Sequence, residues 1–384
     1  MNNKWTYKKI GEIGTLLRGK GIQKTDFIEN GQPCIHYGQI HTSFDISTDR
    51  HLSNISSELY NNSIIASPGD VLLTLTSEDV EGSCKSIAWL GNYDVAVSSD
   101  AAIFKHSLNP KFFVYYTRSN SFYAEKSKYA RGFKVTHIKT SDIAEIPIPV
   151  PSQEEQSAIV SEFDTIIKLI SIKKTQLYDL ECLSKSIFYD MFGDPVANDK
   201  EWEVKKLGDV CKFTQGTQVP IEEQHLSKEN GLVQFLRIID FTQGKDAPRF
   251  VKCSNDKYIL HEREIAIVRY GTPGFVCYGK IGAIANNLFK ITPNQKDMFE
   301  FEFLVHWLNT EAFQSAVKSK QYGAALQAIK FSTIQGINII IPSLTVQRSF
   351  ATRISQIDKQ KQYIEESIKE LESLLASRMQ YWFD

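Results

Sequence analysis

The stretch Gly14 to Gly21, GTLLRGKG, comes within one residue of a phosphate-binding loop, in which a glycine-rich backbone cradles phosphates, a lysine reaches the outer ones and a hydroxyl holds the metal. Gly21 stands where that hydroxyl is needed, so a turn is expected there. Asn109-Pro110-Lys111-Phe112 approaches the Asn/Asp-Pro-Pro-aromatic loop of amino-methyltransferases, but the second proline is missing and no glycine-rich loop follows any strand. A helix start fits better, with Asn as cap and Pro in the first turn. Asp194 with Glu203-Val204-Lys205 imitates a nuclease carboxylate cluster, yet also fits a solvated strand edge. Among the eight histidines, His36 and His41 alone have a metal-like spacing, and a loop or core role is expected for both. Cys34, Cys84, Cys182, Cys211, Cys253 and Cys277 form no Cys-x-x-Cys pair, which suits reduced buried thiols. No catalytic constellation and no metal site is expected.

The 384 residues exceed one ordinary domain, so two globular units with connecting elements are expected. A hydrophobic fraction of 42% supports packed cores, and no segment has a disordered composition. The opening MNNKWTYKKI has no apolar run, and nowhere do about 18 apolar residues follow one another, so a soluble cytoplasmic protein without a membrane span is expected. The formal net charge of -1 is not that of a strongly basic nucleic-acid binder. Its distribution is uneven: Lys105, Lys111, Arg118, Lys126, Lys128, Arg131, Lys134 and Lys139 face only Glu125 in their stretch, whereas residues 152–200 are net acidic.

These features are positioned by an internal repeat. WTYKKIGEI at Trp5 returns as WEVKKLGDV at Trp202. GFKVTHIKTSDIAEIPI from Gly132 returns as GAALQAIKFSTIQGINI from Gly323, pairing Gly132, Ile138, Lys139, Ser141, Ile143 and Ile146 with Gly323, Ile329, Lys330, Ser332, Ile334 and Ile337. The offset falls from 197 to 191, as when two copies share a scaffold and differ in surface loops. PSQEEQ at Pro151 likewise returns as PSLTVQ at Pro342.

Each copy then enters a long helical pattern. Ser152 and Glu155 make a capping box, which the second copy weakens by having Val346 three residues after Ser343. Alternating spacings of 4 and 3 define a seam through Ile159, Phe163, Ile166, Ile170, Leu177, Leu180, Ile187 and Met191. The second seam runs through Phe350, Ile354, Ile357, Ile364, Ile368, Leu371, Leu375 and Trp382. Polar interruptions fall at different levels: Lys173 and Ser184 in one seam, Lys361 and Arg378 in the other. At about 1.5 Å per residue each helix would span roughly 60 Å, and an antiparallel coiled-coil pair is expected.

Between these boundaries short strands are expected at residues 63–65, 71–75, 86–90 and 95–98, then at 233–239, 265–270, 275–278 and 280–285. The expected architecture is α+β, with two mixed α/β domains at 1–150 and 196–341 and two spacer helices at 151–195 and 342–384, related as a pseudo-two-fold repeat.

In this doubled order, Gly132, Ile138, Ile148, Pro149, Pro151 and Gln156, then Gly323, Ile329, Ile341, Pro342 and Gln347, resemble the specificity subunits of type I restriction-modification systems across essentially the whole chain. Phe235 to Asp240 and Gly69 to Leu72 add to the resemblance. The sequence departs where His36 stands near the place of Arg237, and where Arg263-Glu264 faces Gly69-Asp70. The resemblance implies two target-recognition domains held at fixed separation, each reading half of a bipartite double-stranded DNA site. It implies assembly with two modification (methyltransferase) subunits carrying S-adenosylmethionine, and with restriction subunits that translocate and cut. This chain would itself bind no cofactor and catalyse nothing. Expected DNA contacts are Lys20, Lys24, Thr76, Ser77, Lys85, Arg131, Lys134, His137 and Lys139 in the first unit, and Arg237, Arg269, Tyr270, Gln321, Tyr322, Gln327 and Lys330 in the second, with Arg131 and Arg269 foremost. A specificity subunit of another methyltransferase or phage-defence assembly, a structural coiled-coil adaptor, and an enzyme in its own right stay open as alternatives.

Overall fold

The computed structural model describes residues 5–132, 135–242, 244, 246–295, 297–319 and 328–384. The chain divides into two compact units: Met1–Lys174 with Glu366–Asp384, and Thr175–Glu365.

In the first unit a five-stranded sheet has the order Gly14–Arg18, Ala101–His106, Val71–Thr74, Ser86–Trp89, Ser47–Thr48. A four-stranded sheet has the order Ser53–Ile55, Gln32–Ile35, Val95–Val97, Ile64–Ala66. Val71–Thr74 and Ser86–Trp89 are buried at every residue, the pattern of strands covered on both faces. Thr6–Lys9 pairs with Pro147–Val150, so the ends of the globular part are joined antiparallel. The second unit repeats the plan. Cys211–Gln215, Leu288–Pro293, Ile265–Val268 and Val276–Cys277 make one sheet; Arg249–Lys252, Leu232–Leu236, Gly282–Ile284 and Ile259–Leu260 make the other. Glu203–Lys206 pairs with Asn338–Ile341, the counterpart of the first closing pair.

Asn109 caps the helix Pro110–Tyr116, its side chain accepting from the N–H groups of Lys111 and Phe112, with Pro110 in the first turn. Phe112 to Tyr116 are all buried, because this helix is covered on every side. Phe301–Leu308 is its counterpart. The two long helices are Gln153–Phe192 and Leu344–Phe383, 40 residues each. The capping box is formed: Ser152 N–H reaches Glu155 at 3.2 Å, and Glu155 N–H reaches Ser152 Oγ at 3.2 Å.

Within each unit, segments of the two long helices pack antiparallel. In the first, Arg378 pairs with Glu162, Trp382 Nε1 donates to the same carboxylate at 3.0 Å, and Lys174 meets Glu372 at 3.2 Å. Partners thus descend in one helix as they ascend in the other. In the second, Phe188 and Phe192 lie 5.7 and 5.1 Å from Phe350. Of the seam positions, Ile159, Phe163, Ile166, Ile170, Phe350, Ile354, Ile357 and Ile368 are buried. Leu177, Leu180, Ile187, Met191, Ile364, Leu371, Leu375 and Trp382 are half-buried. The seam misses Phe188, Phe192 and Phe383, which are at most 2% exposed. At these helix ends the buried stripe shifts by one residue, because the neighbours include the aromatic helix of the globular part as well as the other long helix: Phe383 meets Phe112 and Tyr116, and Phe192 meets Phe303.

Several sequence expectations need correction. Gly14–Arg18 is a strand rather than a turn, since its residues pair with Ala102 to His106. The strand expected over 233–239 ends at Leu236; Ile238–Thr242 is a short helix, whose start is held by the Asp240 carboxylate accepting from Arg237 N–H at 2.8 Å. Within the last two expected strands the strand pairing covers Val276–Cys277 and Gly282–Ile284, with Ala285 adding a single bridge to Thr217. Cys182 and Cys253 are half-buried rather than buried.

His106 closes the strand Ala101–His106 with its ring 4.6 Å from Phe104, and its Nδ1 accepts from Leu108 N–H. Burial pulls its pKa down from 6.5 to about 4. The unfolded chain therefore takes up this proton near pH 6.5, and the folded chain only near pH 4. Stability of the first unit falls as pH drops through that window, by about 3 kcal/mol at most, with no further loss from this group below it. The second unit has Ile291 at the corresponding place, one residue after Lys290 as His106 follows Lys105. His106→Ile is expected to flatten the acid limb between about pH 6.5 and 4, read by urea unfolding of the full chain. An unchanged limb would assign the loss to other groups.

Candidate nucleic-acid interface

The strands Val71–Thr74 and Ser86–Trp89 are joined by a loop that closes where Thr74 N–H meets Lys85 O and Cys84 N–H meets Thr74 O. From this loop Thr76–Ser77 pairs antiparallel with Thr136–His137. His137 Nδ1 is 3.1 Å from Thr76 Oγ1, and Arg131 is bridged to His137 through the backbone. Arg131 is 67% exposed at its side chain and only 3.6 Å from Asp142 Oδ2, a loose pairing. Beside the hairpin lies a cleft of about 1070 Å³ lined by Tyr37, His41, Thr76, Ser77, Lys85 and Arg118 among others. The fold thus brings Thr76, Ser77, Lys85, His137 and Arg131 into one neighbourhood. Lys24 is exposed in a one-turn helix near Gly38, where an added Cβ would lie 3.9 Å from Lys24 Cε. Lys20 is exposed, its backbone N–H held by Val97 O. Lys139 is exposed at the start of the helix Thr140–Ala144.

The second unit builds the same hairpin with other side chains. Tyr270 bridges to Ala328, and Ile329 N–H donates to Arg269 O. The Arg269 guanidinium lies 4.7 Å from the Tyr270 ring centre and 5.6 Å from that of Phe289. Such cation–π contacts hold a planar fork without consuming its outer N–H groups. Arg269 Nε and Asn287 Oδ1 are buried without a hydrogen-bond partner among the described residues. Lys330 is exposed at the start of the helix Phe331–Gln335, as Lys139 is in the first unit. Lys134, Gln321, Tyr322 and Gln327 lie outside the described residues.

Two expected contacts are tied into the scaffold instead. Arg237 donates to Asp240 at 3.0 and 3.1 Å and to Ala247 O at 3.1 Å, and lies 3.6 Å from Asp246. The hydrogen bond to Asp240 raises its pKa further. His36 holds the corresponding place, where its Nδ1 accepts from Gly38 N–H. Lys85 Nζ donates to His41 O at 2.8 Å, satisfying a carbonyl at the end of the helix Tyr37–Thr42. Burial lowers its pKa. In the second unit Phe275 stands opposite Lys85, and the corresponding short helix is bonded instead by Lys280, from another place in the chain, to Asp240 O.

The apparent departure at Gly69-Asp70 against Arg263-Glu264 conserves a function. Asp70 accepts from Lys105 at 2.7 Å and from Ser67 N–H, while Glu264 accepts from Lys290 at 3.1 Å and from His261 N–H. The longer acid does the work of the shorter one.

The acidic residues near Asp194 and the histidine His41 have local partners. Asp194 accepts from the N–H groups of Val196 and Ala197, Glu203 pairs with Lys205, and His41 lies 3.0 Å from Thr76 O. Among the described residues no group of three or more His, Cys, Asp or Glu could hold a metal ion. None of the described helices is long and apolar enough to cross a membrane.

The model of the type I restriction modification DNA specificity domain matches residues 2–181 and again residues 199–373. The chain is 26% identical over 273 residues to the type I restriction enzyme MjaIX specificity subunit of Methanocaldococcus jannaschii, covering 64% of this chain and 61% of that protein. It is 21% identical to the StySPI specificity subunit of Salmonella potsdam, over 95% of this chain and 84% of that one. A solved chain from the complex assembly and conformational transition of the type I R-M system shares its fold with a TM-score of 0.61 at 18% identity, over 100% of this chain and 98% of the other. With both halves matched, the chain belongs to the family of type I restriction modification DNA specificity domains, and carries that domain twice.

Proposed function

We propose that each unit reads one half of a bipartite double-stranded DNA site, and that the chain recruits two modification subunits, which carry S-adenosylmethionine and methylate adenine, together with restriction subunits. The observation that carries this reading is the repeated hairpin with a strand laid against its loop, which presents Thr76, Ser77 and His137 in one unit and Arg269 and Tyr270 in the other. A shared frame with different polar edges is what two readers of different half-sites require, since base edges in the major groove are distinguished by donor and acceptor pattern. The chain itself transfers no methyl group and cuts no strand. Its working place is the cytoplasm, where the DNA and those partners are.

Arg269 is the guanine reader of the second half-site, its fork pre-set by Tyr270 and Phe289; Arg131 is the corresponding candidate in the first. Exposed lysines such as Lys20, Lys24 and Lys139 meet phosphates, which sets register rather than sequence.

Co-expression with the modification subunits, followed by genome-wide mapping of methylated adenines, is expected to return a two-part motif with a constant unread gap. An intact complex without site-selective methylation would favour a structural adaptor instead. Arg269→Ala is expected to relax one position of one half-site at a cost of about 1 to 3 kcal/mol. Arg237→Ala, which strips the partner from buried Asp240, is expected to lower the unfolding midpoint and leave the motif intact. A motif changed by Arg237→Ala and not by Arg269→Ala would reverse the two roles.

A further inference from the structure

The two units close the reading hairpin with the same backbone device and differ in what braces it. In the first unit Cys84, at φ +56°, turns the chain back into its strand with its N–H on Thr74 O. In the second, Gly274, at φ +90°, does so with its N–H on Val268 O. A left-handed conformation suits glycine and strains cysteine, so the first turn needs outside support. Between these fixed points run residues 75–83 in the first unit and only residues 269–273 in the second.

The brace comes from paired helices, Asn120–Ser127 and Glu311–Lys318, whose caps Ser119 and Thr310 bond Phe122 and Phe313 N–H alike. Where the second helix carries Val317, 3.0 Å from a Cβ added at Gly274, the first carries Lys126. Lys126 is 4% exposed and donates to Glu81 O at 2.8 Å and Ser83 O at 2.6 Å. A lysine is rarely so buried, and two backbone carbonyls are its compensation. The loop adds its own ties: Gly82 N–H to Asp79 at 2.7 Å and Ser83 Oγ to Val80 O at 2.7 Å.

We infer that Lys126 is a positioning residue dedicated to the first half-site: it fixes the long loop 75–83, so that Thr76, Ser77 and the exposed Glu78 meet base edges in one geometry. This rests on the reading of the two units as half-site readers. The shorter loop needs no such cation, so the lysine and the extra loop residues form one device present in one unit.

The test uses the full chain with its modification subunits, comparing the parent with Lys126→Met. Hydrogen exchange of the amides of residues 76–83 should rise at least about tenfold, while exchange in the second unit stays constant. The methylation motif should relax in one half, with the other half and the gap unchanged. Unchanged loop exchange, or a loosened loop with an intact motif, would overturn the inference. Should Lys126→Met fail to fold or assemble, residues 75–83 replaced by the sequence of 269–273 together with Lys126→Val reproduces the second unit's own solution. That variant should alter the first half alone, and retention of the parental motif would overturn the inference. If the parent itself yields no two-part motif, the half-site reading fails, and the exchange data still decide whether Lys126 braces the loop.

Discussion

A buried glutamine at the start of each long helix fixes how that helix meets its globular domain. Gln156 accepts from Asn109 N–H at 2.7 Å and donates to Pro151 O at 2.9 Å. Gln347 accepts from Glu300 N–H at 2.9 Å and donates to Pro342 O at 2.8 Å. Both side chains are at most 1% exposed, so each amide satisfies the cap of the aromatic helix and the proline carbonyl at once. An apolar residue there would leave two buried backbone groups unpaired, each a penalty of about 1 to 3 kcal/mol. With the helix start fixed, Phe163 and Phe350 enter the aromatic cores and the closing strand pairs fall into register.

Because this joint occurs twice, the repeat separates frame from function. Residues that keep one role in both units, such as Gln156 and Gln347 or the pairs Lys105–Asp70 and Lys290–Glu264, cannot give the two units different surfaces. What differs on the shared frame can: the hairpin edge, the loop length and its brace. Chemical type is a poor guide to this division. Lys85 and Arg237 are basic and lie close to the hairpin or its flanking helix, yet their donors are committed to backbone carbonyls and carboxylates.

The sequence made the frame legible because the frame is local or periodic. The Ser152–Glu155 box, the Asn109 cap and the heptad spacing are signals carried within a few residues, and the doubled order carried the rest. Contacts between distant segments were not legible. Phe188, Phe192 and Phe383 belong to the stripe only because an aromatic helix from elsewhere in the chain covers them. The helix Ile238–Thr242 lies in an apolar run that reads as strand until Asp240 is seen to cap it. The equivalence of Lys126 and Val317 acquires meaning only beside loops of unequal length.

The basic stretch from Lys105 to Lys139 shows most clearly how composition misleads. Lys105, Lys111, Arg118, Lys128 and Arg131 face Asp70, Asp164, Asp45, Glu125 and Asp142, and Lys126 is spent on carbonyls. Of the two that remain, Lys134 lies outside the described residues and Lys139 is exposed. More than half of the local excess of positive charge is thus offset by acids from outside the stretch. A protein so balanced gains little from the counterion release that drives indiscriminate binding to phosphate. Under the proposed reading, its attraction to DNA rests on a few exposed or weakly paired groups, Lys20, Lys24, Lys139 and Arg131 among them. For two half-site readers of the kind proposed, weak indiscriminate attraction is an advantage: affinity then depends on the base edges that the two hairpins would meet.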